Sequence, residues 1–260
     1  MDARRGDAER RRQRVGERPA PVHGHRARKR FGQHFLVDAG VVQAIVEAIA
    51  PRDGQQIVEI GPGLAALTDA LLERVDSIQA VELDRDLARR LRERYPDTRL
   101  ALHEADALEF DFGQALPAGA GAEGRRLRVV GNLPYNISSP LLVRLLDFRA
   151  IVDDQHFMLQ KEVVDRIVAA PGTADYGRLA VLMQSFCHCV KLFDVPASAF
   201  DPPPRVESAV VRLVVRRDRD TVDPAPLQAV LAAAFGQRRK MLRGTLLPWL
   251  AQRGAIRYVD

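Results

Sequence analysis

No apolar run in this 260-residue chain approaches the ~18–20 residues that a membrane-spanning helix needs, so no segment reads as membrane-embedded. The arginine-rich N-terminus has no apolar stretch behind it, which excludes a secretory signal. Asp2, Asp7, Glu9 and Glu17 argue against an acid-poor transit peptide. Cysteine is nearly absent. Cys187 and Cys189 are spaced poorly for a disulfide, and no second cluster completes a four-ligand zinc site. Both read as reduced thiols in a cytosolic protein that uses no metal and meets no membrane. The length fits one large domain with an appendage, enough to bury a sizeable core.

Positive charge is present but local. Residues 1–30 hold eleven arginines and lysines against four acids, a net +7, and because the whole chain carries +5 the remainder carries −2. The basic balance therefore describes a tail, not a basic body. Residues 1–25 read as a basic, disordered extension, of which 1–22 is solvated chain without a task. From Arg26 onward "RARKRFGQHFL" mixes charge with aromatics and runs straight into the fold, which reads as a phosphate-seeking arm.

Strands then alternate with helices. Asp38 can cap a helix whose Val41, Val42, Ile45 and Ile49 recur at helical spacing until Pro51. "QQIVEI" reads as a buried strand, "GPG" as a turn and Leu64–Arg74 as an amphipathic helix. "SIQAVEL" and "TRLALHEAD" are strands on either side of the helix "RDLARRLRERY". After a Gly/Ala-rich loop from Gly113 to Gly124 come the strand "LRVVG", a helix from near Pro140, the strand "HFMLQ" and a helix from Lys161. Another helix covers "RLAVLMQSF", and "KLFDV" and "SAVVRLVVR" form a hairpin pair around the loop "FDPPPRVES". Over residues 26–217 this predicts an α/β domain with a right-handed, mostly parallel sheet covered on both faces. "DRDTVDPAP" is a linker, and residues 218–260 read as a small, helical, basic C-terminal domain.

Ligands of such sheets sit beyond the carboxyl ends of the strands. Gly61, Glu82, Asp106 and Asn132 all fall there. Gly61 and Gly63 let the backbone approach a ligand, and the helix N-terminus behind them favours an anionic group. Gly61-x-Gly63-x-x-Ala66 followed by Glu82 also fits the dinucleotide fingerprint, so a nicotinamide dehydrogenase is one reading. Glu59 and Asp106 favour another. An acid inside the first strand suits a cation, and S-adenosylmethionine carries an ammonium and a sulfonium but no phosphate. Glu82 would take its ribose hydroxyls and Asp106 its adenine amino group. The plainer alternatives are a carboxylate at 59 satisfied by backbone amides and a helix cap at 106.

"VVGNLPYNISSP" ends a strand in a carboxamide, a proline and an aromatic. The exocyclic amine of a base is a poor nucleophile because its lone pair is delocalised into the ring. Two acceptors on its N–H bonds draw the nitrogen toward tetrahedral geometry without a strong base. Asn132 offers one acceptor, and the backbone carbonyl of Leu133 or Pro134 the other. Pro134 biases Leu133 to an extended conformation that keeps its carbonyl aimed. Tyr135 can stack on a base flipped out of its helix. The plainer alternative is a proline turn with a surface tyrosine.

In order along the chain, "RKRFGQHFL", "VEIGPGLAALT", "VELDRDL", "EADAL", "VGNLPYNISSP", "FMLQKEV", "YGRLAVL" and "FDPPPRVESAVVRL" resemble the bacterial small-subunit rRNA adenine N6,N6-dimethyltransferases of the KsgA type. The resemblance runs from Arg28 to Arg243. It implies a Rossmann-like class I methyltransferase using S-adenosylmethionine and no metal, acting as a monomer. It implies dimethylation of N6 on two adjacent adenosines near the 3′ end of 16S rRNA, in a partly assembled 30S subunit. Cofactor contacts are implied at His34 (often asparagine in the family), Leu36, Gly61, Glu82, Asp106 and Asn132, to which the strand-end reading adds Glu59, Gly63 and Ala107. Catalytic roles are implied for Asn132, Leu133, Pro134 and Tyr135, with Phe200 sandwiching the target base against Tyr135. Expected RNA contacts are Arg28, Lys29 and Arg30 in the arm and Arg238, Arg239, Lys240 and Arg243 near the C-terminus. Relatives continue through more helix than follows Trp249, so a shortened C-terminal domain is expected. "YGRLAVL" and "FDPPPRVESAV" favour the small-subunit branch over related large-subunit enzymes. A reading of a different class, a pre-ribosome assembly factor, can coexist with catalysis.

Overall fold

The computed structural model describes residues 33–117, 124–219, 222–237 and 240–254. Strand β1 (Phe35–Leu36) leads into helix α1 (Ala39–Ile49), where the Asp38 side chain accepts from Val41 N at 3.0 Å and so caps an otherwise orphaned amide. There follow β2 (Gln56–Ile60), α2 (Ala66–Leu72), β3 (Ile78–Glu82), α3 (Arg85–Arg94) and β4 (Leu100–Glu104). The second half runs β5 (Leu127–Asn132), α4 (Ser138–Leu145), β6 (Val152–Gln160), α5 (Lys161–Val168), α6 (Arg178–Phe186) and β7 (Cys187–Val195). β8 (Phe200–Asp201), β9 (Ser208–Val215), α7 (Pro224–Phe235) and α8 (Leu242–Gln252) complete the described elements.

Seven strands form one sheet in the order β4-β3-β2-β5-β6-β9-β7, parallel from β4 to β6, with β9 antiparallel to both its neighbours. The apolar strand runs have a physical reason: both faces are covered, so successive residues must bury on opposite sides. Val58, Val129 and Phe157 pack with α4, α5 and α6, whereas Ile57, Val130 and Met158 pack with α1, α2 and α3. Leu231 of α7 belongs to the first of these clusters, so this helix is part of the sheet's own core.

Several elements differ in extent from the sequence reading, four of them for an evident physical reason. α2 begins at Ala66 because Gly61, Gly63 and Ala65 all have positive φ (65°, 59° and 72°), and a left-handed residue cannot sit inside a right-handed helix. α4 begins at Ser138, since proline is tolerated in a helix's first turn. β6 starts at Val152, its polar "DDQH" notwithstanding. Asp154 accepts two bonds from buried Arg128 (2.9 and 2.8 Å), and burial pushes His156 down to about 4, leaving it uncharged in the sheet. β7 reaches back to Cys187, whose thiol burial pushes up to about 12, an inert thiol at neutral pH.

The chain turns back on itself between β2 and β5. β3 and β4 add on one side of β2, β5 and β6 on the other, which opens a crevice at the carboxyl ends where the order reverses. The two strands approach so closely that a Cβ on Gly131 would lie 2.4 Å from the Ile60 carbonyl oxygen.

Candidate active site

A cavity opens at that crevice, and all but one of the cofactor-binding and catalytic residues expected from the sequence line it. From the N-terminal segment and β1 come His34 and Leu36, from β2 and its turn Glu59, Gly61 and Gly63. β3 contributes Glu82, the loop after β4 Asp106 and Ala107, and the end of β5 Asn132, Leu133, Pro134 and Tyr135. Four carboxylates (Glu59, Glu82, Asp84 and Asp106) face this space, and no arginine or lysine is among the described lining residues. That charge balance suits a cation and opposes a pyrophosphate, which disfavours a nicotinamide dinucleotide.

Glu59 is 2% exposed and accepts from Thr68 Oγ1 at 2.6 Å on one oxygen. Burial pushes its carboxyl up to about 8, against the lowering effect of the Thr68 bond and with help from the Glu82 charge. A carboxyl held above neutrality by an apolar wall has much to gain from a positively charged neighbour. Glu82 is raised as well, chiefly by burial, while backbone amides work against that shift. Gly63 N donates to one of its oxygens at 3.2 Å and Asp84 N to the other at 2.8 Å. The glycine turn thus aims the carboxylate, and each oxygen keeps a second lone pair for a diol. Asp106 is a cap as well as a lining residue: Oδ1 accepts from Leu108 N at 2.9 Å, and among the described residues no donor occupies Oδ2.

The geometry around Asn132 assigns its amide without ambiguity. Its Nδ2 lies 3.1 Å from the His34 carbonyl oxygen, a group that can only accept, so the nitrogen must face it and Oδ1 is left as an acceptor. The choice between the two following carbonyls also resolves. Pro134 O already accepts from Ile137 N at 3.1 Å, whereas among the described residues no donor sits on Leu133 O. Leu133 itself is 1% exposed and its N–H donates to Met158 O at 3.2 Å, which anchors the loop to β6. The Tyr135 hydroxyl meets Ser208 Oγ at 2.9 Å.

Phe200 is the exception. It is 3% exposed, lies opposite Leu36 in the two-stranded β1–β8 pair and packs into the apolar cluster beneath α1 and α2. The structure thus places Phe200 in the core, outside the residues that line the cavity with Tyr135. The ring beside Tyr135 is His34, with centroids 5.7 Å apart at 25°, and its Nδ1 donates to Pro202 O at 2.7 Å. Of the expected RNA contacts, Lys240 and Arg243 are exposed before and on α8, and Arg28, Lys29, Arg30, Arg238 and Arg239 lie outside the described residues. Several lining residues escaped the sequence reading, among them Gln33, Leu83, Gly131 and Met158. Gln33 donates to Asp84 Oδ2 at 3.3 Å and closes one lip, Leu83 stands 48% exposed beside Glu82, and Gly131 and Met158 form the floor. Asp84, also in the lining, accepts from Asp86 N at 2.9 Å and caps α3.

Comparison with known proteins gives a consistent picture. The family model for ribosomal RNA adenine dimethylases matches residues 24–255. The ribosomal RNA small subunit methyltransferase A of Bordetella petrii is 61% identical over 229 residues, 87% of this chain and 84% of the relative. That of Thiobacillus denitrificans is 58% identical, covering 85% of each chain. Among solved structures, a dimethyladenosine transferase from Plasmodium falciparum superposes with a TM-score of 0.70 at 25% identity, covering 87% of this chain and 84% of its own. The 23S rRNA methyltransferase ErmE gives 0.63 at 26% identity, covering 84% and 86%.

Proposed function

The chain belongs to the ribosomal RNA adenine dimethylases, and from that premise we propose that it dimethylates N6 of two adjacent adenosines near the 3′ end of small-subunit rRNA, within a partly assembled subunit. Methylation of rRNA adenine follows from the family; the position and the assembly state are the finer reading. The observation that carries the chemistry is the fixed Asn132 carboxamide, with its oxygen turned away from the His34 carbonyl and the Leu133 carbonyl beside it.

S-adenosylmethionine supplies an electrophilic methyl group, and its positive charge matches the four lining carboxylates. Glu59 supports its cationic end, Glu82 its ribose diol, and Asp106 with Ala107 its adenine. Gly61 and Gly63 keep the turn below it free of side chains. On the substrate side, Tyr135 offers a face to a flipped adenine. Asn132 Oδ1 and Leu133 O accept the two N–H bonds, which localises the nitrogen lone pair toward the methyl. With S-adenosylmethionine bound, the new N–C bond would form as the donor's S–C bond breaks, and the surplus proton on nitrogen would leave to solvent. After one transfer a single N–H remains, so one acceptor suffices for the second. Lys240 and Arg243, with Arg28, Lys29, Arg30, Arg238 and Arg239, would hold RNA phosphates.

The 61% identity to a small-subunit enzyme, against 26% to a large-subunit one, supports the small subunit as target. The test is incubation with methyl-labelled S-adenosylmethionine and undermethylated small subunits, followed by mapping of the label. Label on two neighbouring adenosines near the 3′ end is expected. Label confined to large-subunit rRNA, or none, refutes the reading.

A further inference from the structure

The loop between β8 and β9, residues 202–207, is tied to the cavity at both ends. Pro202 O accepts from the His34 ring, and Ser208, the first residue of β9, meets the Tyr135 hydroxyl. Between these anchors Pro202, Pro203 and Pro204 each fix φ, so the segment is stiff. Arg205 and Val206 (46% exposed) stand in solvent between these two anchors, Arg205 three residues from Pro202 and three from Ser208. Two lysines on the elements meeting this edge are already paired. Lys161, at the end of β6, lies 2.7 Å from Asp165. Lys191 of β7 lies 2.9 Å from Asp165 and 2.6 Å from Asp194. Arg205 has no such carboxylate within ion-pair distance among the described residues, not even its neighbour Glu207.

We propose that Arg205 is an RNA-binding residue that grips a backbone phosphate beside the target adenosine, the proline-stiffened loop setting its distance from Tyr135. This rests on the rRNA-methyltransferase reading of the site. A stiff mount limits the side-chain and loop ordering that a phosphate contact must overcome, and a guanidinium matches phosphate oxygens with two parallel donors. The same anchors that place the arginine place the two rings, so a phosphate held at the tip is registered against the stacking face. The expected substrate is single-stranded or splayed RNA next to a flipped base. A regular duplex would present no base to Tyr135 from that distance.

Arg205→Gln and Arg205→Lys test this on the full chain with undermethylated small subunits. Arg205→Gln should raise KM about tenfold, the size of one lost charged hydrogen bond, with kcat within about twofold of wild type. The slope of log affinity against log salt should fall by about 0.7 unit, one single-strand phosphate. Arg205→Lys should recover the slope but only part of the affinity, since lysine keeps the charge and loses the fork. Affinity for S-adenosylmethionine and melting temperature should match wild type, because the side chain is exposed and unpaired. An unchanged salt slope in Arg205→Gln overturns the proposal, as does a fall in melting temperature that accounts for the lost activity. The two readings fail separately. Wild type that methylates other RNA through an Arg205-dependent slope refutes only the substrate reading. Wild type that methylates the small subunit with no Arg205 dependence refutes only this one.

Discussion

Replacing Glu59 by glutamine is the sharpest probe of the cavity, because the two side chains share a shape and differ in titration. In the folded protein Glu59 is raised from 4.5 to about 8, chiefly by burial. Between those values the folded state holds a proton that the unfolded chain has already released. Its contribution to stability is therefore complete below pH 4.5, falls as pH rises and is gone above about 8. The loss is about 1.4 kcal/mol per pH unit, or on the order of 5 kcal/mol across the window. Glutamine keeps an oxygen for Thr68 and titrates nothing. Urea unfolding at pH 6, 7 and 8 should thus show the variant gaining on wild type by about 1.4 kcal/mol per unit. A bound cation reverses the preference by favouring the carboxylate. Wild-type affinity for S-adenosylmethionine should rise from pH 6 to 8, with up to one proton released per ligand bound. The variant should release none from this site and bind roughly 10- to 100-fold more weakly at pH 8, the range expected for a lost hydrogen bond to a charged group. Calorimetry in two buffers of different ionisation enthalpy reads the proton directly. Parallel stability curves, together with equal affinity and equal proton release, would falsify the assignment of Glu59 to the cofactor's cationic end.

Asn132→Ala should cut turnover at least ~100-fold while changing cofactor affinity far less, since its oxygen is needed most as the amine attacks; near-normal turnover in methyl-transfer assays would reduce the loop to a turn. Tyr135→Phe and Ser208→Ala should each lower kcat, and the double variant should cost no more than the worse single one, because both break the same 2.9 Å contact. Additive losses in that cycle would show that the contact does not act as a unit. Gly131→Ala sets a methyl 2.4 Å from a backbone oxygen that cannot swing away. It should therefore lower stability by about 1–3 kcal/mol, the usual range for overpacking, and disturb the cavity floor; an unchanged denaturation midpoint would mean the strands part more easily than their packing suggests.

Much of this protein follows from local chemistry that any stretch of its sequence carries. The caps at Asp38 and Asp84, the apolar runs of β2 and β5 and the glycine turn after Glu59 depend on neighbours a few residues away. Strand–helix alternation then requires a crevice at the strand ends, so Gly61, Glu82, Asp106 and Asn132 could be grouped before any coordinates. What the tertiary structure decided are the properties that depend on partners far along the chain. The polar start of β6 is a strand because Arg128 reaches Asp154, 26 residues away. Phe200 is core because it pairs with Leu36, and Gly131 must be glycine because Ile60 lies against it. The orientation of the Asn132 amide, on which the proposed chemistry turns, is set by a carbonyl 98 residues distant. Periodicity and capping are short-range, whereas burial, hydrogen-bond direction and the shifted titration of Glu59 are sums over neighbours that only the closed fold brings together.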